Sequence, residues 1–342
     1  MKRPAASRAC GPQRSGERVE VVIEDLGARG DGIARLGEMR VFVPFTLPGD
    51  RLAVRLGARR EGGFGAEPVV WHEQVARAAP RCPHFGACGG CQLQHLEPAQ
   101  DAAWQRAQVA TALARRGFVQ IPIEPPLPMP PAARRRARMA FSRRNGEVAL
   151  GFRGRAGHHV VDVEACALVL PEIVGLLPAL RAALADLPLA ARGGEVLVTA
   201  TDSGLDLVLR AAAAPGLVDR EGIAALAERC DLARVSWQRE PDDEPEVVVW
   251  RRAVRVTFGA IPVELPPGAF LQASVQAEAQ IRAAVCAAIG DATSLADLFA
   301  GCGTFGLPLA AAGRRVHAVD ARPDMLAALT GAARAAGFAD RN

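Results

Sequence analysis

Three cysteines within ten residues restrict what this 342-residue chain can fold into more than any other feature. Cys82, Cys88 and Cys91 are separated by five and then two residues, so their sulfurs can converge on one inorganic centre. The two glycines before Cys91 allow the backbone to approach that centre closely. An iron–sulfur cubane takes four thiolates, and zinc also accepts four, although structural zinc sites usually pair two Cys-x2–4-Cys units. Iron–sulfur, zinc and buried free thiols therefore stay open, with Cys166 as the candidate fourth ligand.

Positive charge is concentrated in the front half of the chain. Residues 1–160 carry 25 Lys and Arg against 14 Asp and Glu, whereas residues 161–342 carry 16 against 23. A basic half joined to an acidic half indicates a polyanionic partner. No apolar run reaches the roughly 18 residues that span a bilayer, and the basic N-terminus lacks the apolar core of a secretory signal. We therefore predict a soluble cytoplasmic protein with no membrane partner, and no obligate protein partner is evident.

The densest positive charge lies on a predicted β-hairpin. Eight arginines occupy residues 134–155 together with one acid, Glu147. Asn145-Gly146 predicts the turn of the hairpin, and alternate residues of a strand share a face. Guanidinium groups bind phosphate through paired hydrogen bonds and stack on bases, so we predict RNA as the polyanion, although a solvated charged face would show the same pattern. The predicted RNA-binding residues are Arg134, Arg135, Arg136 and Arg138.

A glycine-rich loop near the end of the chain predicts a cofactor site. The string DLFAGCGTFG (297–306) follows a predicted buried strand and opens a helix, and Asp320 ends the next strand. Such a loop lets the backbone turn tightly against a ligand, and an acid at the end of the second strand accepts hydrogen bonds from ribose hydroxyls. The spacing fits NAD and S-adenosylmethionine alike. Asp297 favours S-adenosylmethionine, because a carboxylate at this position suits an amino-acid ammonium group.

Taken together, these motifs resemble a known family. The string CPHFGACGGCQLQHL resembles the cluster motif of the RNA uracil-C5 methyltransferases, whose iron–sulfur members modify 23S ribosomal RNA. The preceding segments GARGDGIAR and VFVPFTLPGD look like a TRAM domain, and AARRRARMAF, LGFR and VVDVEACALV follow in the family's order. The resemblance implies RNA, namely 23S rRNA, as the partner, S-adenosyl-L-methionine as the methyl donor, and a [4Fe-4S] cluster on Cys82, Cys88, Cys91 and Cys166.

The resemblance also implies which residues bind the methyl donor. DLFAGCGTFGLPLA looks like motif I of the family, and GAFLQ (268–272) resembles its F-x-Q element, whose Gln contacts the cofactor. Family members often have Asn in place of Thr304 and Glu in place of Asp320, and both replacements keep an acceptor. The implied cofactor-binding residues are Gln272, Phe299, Gly301, Gly303, Thr304 and Asp320.

The same resemblance leaves the catalytic residues unassigned. In the family a Cys thiolate adds to C6 of uracil, which makes C5 nucleophilic toward the methyl group, and a general base then removes the C5 proton. Both family residues lie well beyond the second strand of the donor-binding fold, and no matching string occurs here; Cys230 and Cys286 fit no such motif. We therefore expect a C-terminally truncated member with no catalytic residue in this chain and no turnover.

The predicted fold class is multidomain α/β. We expect a disordered tail (1–15), an N-terminal OB-like TRAM β-barrel (16–74), a central α+β iron–sulfur and RNA-binding domain (75–96 and 121–268), a helix that packs on the methyltransferase domain (97–120), and an incomplete Rossmann-like class I methyltransferase domain (269–342). The predicted function is S-adenosylmethionine-dependent methylation of uridine C5 in RNA. A catalytically inactive RNA-binding fragment and, less favoured, an NAD-dependent oxidoreductase are the alternatives.

Overall fold

A computed structural model describes residues 15–60, 62–155 and 157–338. The chain divides into two compact units, residues 1–128 and residues 129–342, each with its own dense set of internal contacts. The predicted disordered tail lies outside the described residues, except for Ser15.

The first unit is built on a six-stranded sheet. Its strands are β1 (Arg18–Val22), β2 (Asp25–Leu26), β3 (Gly32–Leu36), β4 (Met39–Val43), β5 (Arg51–Arg60) and β6 (Gly63–Glu73). They pair in the order β1-β5-β6-β4-β3-β2. The first strand in this order, β1, also contacts β3 near the opposite edge of the sheet. This contact closes the six strands into the small barrel predicted for residues 16–74.

The barrel interior is filled by alternate apolar residues of these strands. Its fully enclosed members include Ala34, Val41, Val43, Leu52 and Val54. Packing is tight where β3 begins, because a Cβ at Gly32 would lie 2.0 Å from the hydroxyl oxygen of Thr46. Glycine at this position therefore lets two segments of the barrel approach each other more closely than any side chain permits.

The rest of the first unit is a long loop followed by a solvent-exposed helix. The helix, α1 (Pro98–Ala114), ends six residues before the predicted limit at residue 120, and none of its residues is buried. Trp104 packs against Leu26, Leu47 and Leu96 in a small apolar cluster, so α1 contacts the barrel of its own unit. The contact of this helix with the methyltransferase domain stays a prediction.

The second unit is centred on a seven-stranded sheet. Its strands are β7 (Arg136–Arg144), β8 (Glu147–Arg153), β9 (Val160–Asp162), β10 (Gly194–Thr201), β11 (Gly204–Arg210), β12 (Arg234–Gln238) and β13 (Glu246–Trp250). They pair in the order β13-β12-β11-β10-β7-β8-β9, antiparallel except for β11 and β12. The predicted hairpin at Asn145-Gly146 is present, and both residues have the positive φ that a type I′ turn requires.

Helices cover one face of this sheet. α2 (Pro171–Asp186) and α3 (Leu217–Arg229) pack on it, and a 3₁₀ turn (Pro188–Arg192) follows α2. Met139 and Phe141 of β7 belong to the resulting hydrophobic core, together with Ile173 and Leu180 of α2. Because side chains alternate along a strand, Arg136 and Arg138 of β7 lie on the opposite face.

The end of the chain starts a parallel α/β arrangement. A hairpin that the sequence analysis did not predict precedes it, formed by β14 (Arg255–Phe258) and β15 (Ile261–Glu264). The elements that follow are α4 (Val275–Ile289), β16 (Ser294–Leu298), α5 (Gly306–Ala311), β17 (Arg315–Val319) and α6 (Pro323–Ala335). β16 and β17 are parallel, as predicted. One core joins the hairpin to α6 and to the turn after β16 through Phe258, Cys302 and Met325.

The helices are short compared with the thickness of a bilayer. The longest one described, α1, has 17 residues. Within the three described ranges, no helix combines the length and the apolar character needed to cross a membrane.

Candidate functional site

The glycine-rich loop after β16 has a backbone conformation that few residues adopt without strain. Phe299, Gly301 and Gly303 have φ values of 62°, 56° and 95°. A non-glycine residue in this region is strained, and such strain concentrates at functional sites. A Cβ at Gly303 would lie 2.7 Å from the side chain of Leu307, whereas a Cβ at Gly301 would meet no atom within 4 Å. The loop is thus packed on one side and open beside Gly301.

The carboxylate of Asp320 holds the beginning of this loop. Its Oδ2 accepts a hydrogen bond from the amide of Gly301 at 2.8 Å, and its Oδ1 accepts one from the amide of Arg322 at 2.9 Å. The amide of Ala300 donates to the carbonyl of Val319 at 3.0 Å, which continues the pairing of β16 with β17 into the loop. Asp320 therefore lies directly beside the open part of the glycine-rich turn with its orientation set by two amides.

A second carboxylate, that of Asp297, is half-buried beneath the loop. Burial raises the pKa of this carboxyl, an effect that the amide of Gly306 opposes and the charge of Asp320 reinforces. Within the described ranges its buried Oδ2 has no hydrogen-bond partner of normal geometry. A buried oxygen without a partner is costly, and a cationic group of a ligand would relieve that cost.

The remaining predicted cofactor residues flank the same loop. Phe299 is 89% exposed, Thr304 is half-buried, and Gln272 lies in the segment that leads into α4. Leu271, next to Gln272, belongs to the same hydrophobic core as Cys302 of the loop. The exposed aromatic ring offers a surface for a base, and the two carboxylates and the amide offer hydrogen-bonding groups for a ribose and an amino acid. These residues therefore fit S-adenosylmethionine.

Cys302 lies inside the loop as a packing residue. Its side chain is 1% exposed, and its sulfur is 3.3 Å from the sulfur of Met325. Burial raises the pKa of the thiol to about 12, and the nearby charge of Asp324 adds to this shift. Because only a thiolate is strongly nucleophilic, Cys302 is unsuited to nucleophilic attack.

The arginines at the start of β7 separate into two groups. Arg134 and Arg138 are exposed, and Arg136 is half-buried with its guanidinium 5.7 Å from the ring centre of Phe270. Burial and the neighbouring charge of Arg138 lower the pKa of Arg136. Phe270 is 60% exposed, so an aromatic ring and guanidinium groups lie together on one accessible surface. Such a combination suits both phosphates and bases of RNA.

Arg135 differs from its neighbours in being buried and paired. Its side chain is 6% exposed and forms an ion pair with Glu278 of α4, whose side chain is 3% exposed. Its Nε also donates to the carbonyl of Gln272 at 3.1 Å. These two contacts join Arg135 of the segment before β7 to Glu278 of α4 and to the segment around Gln272. The sequence analysis missed Glu278 because the pair is 143 residues apart and neither local pattern nor spacing signals it.

The three clustered cysteines lie on the long loop of the first unit, and Cys166 lies in the second unit against the core below α2. All four are half-buried. The amide of Cys82 donates to the side-chain oxygen of Gln94 at 3.1 Å, and the amide of Gly90 donates to the sulfur of Cys88 at 3.4 Å. Across the described part of the chain, no group of three or more His, Cys, Asp or Glu side chains is arranged to hold a metal ion. The iron–sulfur site on these four cysteines stays a prediction.

Comparison with known proteins relates both the front barrel and the whole chain to RNA-modifying enzymes. Residues 12–60 match the TRAM domain. The chain is 36% identical over 310 residues to an uncharacterized RNA methyltransferase of Brucella suis. This match covers 91% of the chain and 72% of that protein. It is 33% identical over 330 residues to the 23S rRNA (uracil(1939)-C(5))-methyltransferase RlmD of Halomonas elongata, which covers 92% of this chain and 68% of RlmD.

A solved structure shares the fold. The crystal structure of Pyrococcus abyssi tRNA (uracil-54, C5)-methyltransferase in complex with S-adenosyl-L-homocysteine matches with a TM-score of 0.70 over 93% of this chain and 77% of that one, at 18% identity. The relatives that are 36% and 33% identical and covered to more than two thirds of their length place the chain among the RNA methyltransferases. More narrowly, the chain belongs to the RNA uracil-C5 methyltransferase family and is thus an enzyme of the transferase class. The family, the enzyme class and the mixed α/β fold were all predicted correctly.

Proposed function

We propose that this protein serves the methylation of uridine C5 in RNA, with S-adenosylmethionine as the methyl donor and 23S rRNA as the substrate. The observation that carries the proposal is the loop after β16, a strained turn that is open beside Gly301 and flanked by the carboxylates of Asp297 and Asp320. The choice of 23S rRNA is supported by the relatives named RlmD, which are 33% and 32% identical to this chain. The proposal places the protein in the cytoplasm, together with its RNA.

The residues around the loop have separate tasks in donor binding. S-adenosylmethionine supplies an electrophilic methyl group when bound. Asp320, oriented by the amides of Gly301 and Arg322, would accept hydrogen bonds from the ribose hydroxyls. Asp297, whose carboxylate is half-buried beneath the loop, would pair with the ammonium group. The further contacts of the donor are assigned to Gln272, Phe299, Gly303 and Thr304.

Uracil C5 becomes nucleophilic only after a nucleophile adds at C6, and we propose that a cysteine thiolate performs this step in the reaction. Cys302 is unsuited to it, because burial raises the pKa of its thiol to about 12. Cys230 ends α3 against the sheet core, and Cys286 lies exposed on α4, away from the cofactor loop in sequence. None of these three cysteines is assigned the role.

The RNA strand is proposed to contact Arg134, Arg136 and Arg138. The two exposed arginines supply phosphate contacts, and Phe270 beside Arg136 supplies a ring on which a base can stack. Arg135 is left out of this set because Glu278 encloses it.

We also propose that Cys82, Cys88, Cys91 and Cys166 bind a [4Fe-4S] cluster. The support is the ligand type, the spacing of the first three cysteines, and the amide of Gly90 directed at the sulfur of Cys88. We assign no step of methyl transfer to such a cluster. The test is iron and sulfide analysis of protein purified without oxygen. About four irons per chain are expected, with loss in Cys166→Ser and retention in the control Cys286→Ser. Iron-free, colourless protein would contradict the proposal.

Calorimetry with two ligands tests the donor assignment. S-adenosylhomocysteine should bind in the micromolar range, and NADH should not bind. Asp320→Ala should weaken S-adenosylhomocysteine about 10- to 100-fold, because a charge-assisted hydrogen bond contributes about 1.5–3 kcal/mol. The matched control is Asp291→Ala, an exposed acid before β16. NADH binding with no response to S-adenosylhomocysteine would overturn the assignment in favour of an oxidoreductase.

RNA transfer and binding assays test the substrate assignment. With a labelled methyl donor and a 23S rRNA fragment, any label that the protein transfers should appear at C5 of uridine. Label at another base position would contradict the proposed reaction. For binding alone, Arg138→Ala should weaken RNA affinity and reduce the slope of log affinity against log salt by about 0.7, because one phosphate contact is lost. An unchanged slope would exclude Arg138 from the interface.

A further inference from the structure

The face of the seven-stranded sheet opposite α2 and α3 carries a cavity of about 470 Å³. Small residues line part of it, among them Ala140 and Ser142 of β7, which lie opposite the core residue Met139. Its charged lining consists of four arginines and two glutamates, an excess of two positive charges: Arg153, Arg192, Arg210, Arg239, Glu195 and Glu240. A volume of several hundred Å³ is in the range of sites that hold a nucleotide-sized group.

Two of the four arginines form a fixed network within the cavity wall. Glu195 accepts from Arg210 at 2.9 Å and lies 3.6 Å from Arg153, so its charge is already shared between them. Arg210 also donates to the side-chain oxygen of Gln238 at 2.9 Å. The amide nitrogen of Gln238 donates to the carbonyls of Pro241 and Asp243 at 3.0 and 2.6 Å, which sets the direction of its oxygen. This wall is therefore ordered before any ligand binds.

The other two arginines are not neutralised. Arg192 ends the 3₁₀ turn and Arg239 follows β12, and both are exposed. In the described ranges neither forms an ion pair; Arg239 stacks on Trp237 at 5.9 Å. Exposed guanidinium groups that form no ion pair attract anions and bind phosphate with paired hydrogen bonds, and the cavity keeps an excess of two positive charges although Glu240 also lines it.

The cavity continues the surface that bears the RNA-binding arginines. Arg136, Arg138, Ala140 and Ser142 share one face of β7, because residues two apart point the same way. Arg138 and Ser142 are four residues apart, which is about 14 Å along a strand. A strand of RNA that contacts Arg138 therefore needs to extend by only a few nucleotides to reach the cavity.

We propose that this cavity binds a phosphate group of the RNA substrate, a few nucleotides away from the part of the strand that contacts Arg136 and Arg138. The inference rests on the proposed function, because it assumes RNA on this face of the sheet. Arg192 and Arg239 supply the charge for the phosphate. Arg210, Arg153 and Glu195 keep the wall in place.

The test compares two variants in fluorescence anisotropy with a labelled uridine-rich RNA of about 20 nucleotides. The double variant Arg192→Ala/Arg239→Ala should bind about tenfold more weakly at low salt, and its salt slope should fall by about 0.7 to 1.4, for one or two lost contacts. The control Arg229→Ala removes an exposed arginine from α3 on the helix-covered side and should change neither quantity. Unchanged S-adenosylhomocysteine binding shows that the double variant is folded.

The outcomes separate this inference from the proposed function. Wild-type protein that binds no RNA would refute the proposed function itself. Wild-type binding that the double variant retains in full, with the same salt slope, would refute the cavity as an RNA contact and leave the proposed function standing. Calorimetry with uridine monophosphate and with inorganic phosphate tests whether the cavity binds a small phosphate ligand instead of RNA. Tight binding of either one, lost in the double variant while RNA affinity is kept, would also overturn the proposal.

Discussion

Removing one partner of the buried pair between Arg135 and Glu278 should destabilise the second unit strongly. The two side chains are 6% and 3% exposed, so either one left alone becomes a buried charge without a counterion. Breaking a buried ion pair from one side costs about 3–5 kcal/mol. In a unit of roughly 200 residues, about 2–4 °C is lost per kcal/mol, which predicts a fall in melting temperature of about 6–20 °C for Arg135→Met.

Two control variants distinguish loss of the pair from a general effect of mutation. Arg282 lies 3.9 Å from Glu278 but is 27% exposed, so Arg282→Met should cost under about 1 kcal/mol. The double variant Arg135→Met/Glu278→Leu removes both charges together and should recover most of the stability that either single change loses, because no charge remains buried. Urea and thermal unfolding measure the stability of the wild type, Arg135→Met, Arg282→Met and the double variant. An Arg135→Met protein within about 1 kcal/mol of wild type would refute the reasoning.

Comparing Arg135→Met with Arg138→Ala tests whether Arg135 contacts RNA. At a temperature where every variant is folded, Arg138→Ala should flatten the salt dependence of RNA binding, whereas Arg135→Met should leave its slope unchanged. A slope reduced equally by both substitutions would return Arg135 to the RNA interface and contradict its enclosure by Glu278.

Three further predictions concern the cofactor loop. Burial raises the pKa of Asp297, so ionisation of this carboxyl opposes folding as the pH rises through that pKa. An ammonium group binds only the ionised carboxylate, so the affinity for S-adenosylhomocysteine should rise with pH across the acidic range. Calorimetry should find no such rise in Asp297→Asn. Gly303→Ala should destabilise the protein by about 1–3 kcal/mol, which is more than Gly313→Ala. Both glycines have a positive φ, but only at Gly303 would the new Cβ contact a side chain. Equal melting temperatures of the two variants would contradict this difference. Because the pKa of the Cys302 thiol is raised to about 12, alkylation followed by mass spectrometry should leave it unmodified in the folded protein.

Elements with strong local signals were predicted well. Asn145-Gly146 predicted a hairpin, and β7 and β8 form it. The glycine-rich string predicted a strand, a turn and a helix, which are β16, the strained loop and α5. Such signals succeed because a turn depends on the φ and ψ values that its own residues can adopt.

Elements that depend on partners distant in sequence were predicted less well. The hairpin of β14 and β15 lacks a strong turn signal and is stabilised through packing with α6, so only the folded chain reveals it. The helix predicted within residues 97–120 ends at Ala114, six residues before that limit. Propensity and periodicity contain no information on such supporting contacts.

The division of the arginines shows most clearly where sequence reasoning ends. Motif and spacing alone were sufficient for the family and for the strand, turn and helix of the glycine-rich string, because each depends on residues close together in the chain. Only the folded chain separates Arg135, enclosed by Glu278, from the exposed Arg138, and only the folded chain gathers Arg192 and Arg239 around one cavity. The physical reason is that burial and charge pairing are set by residues up to 143 positions apart, which meet only when the sheet and helices have packed.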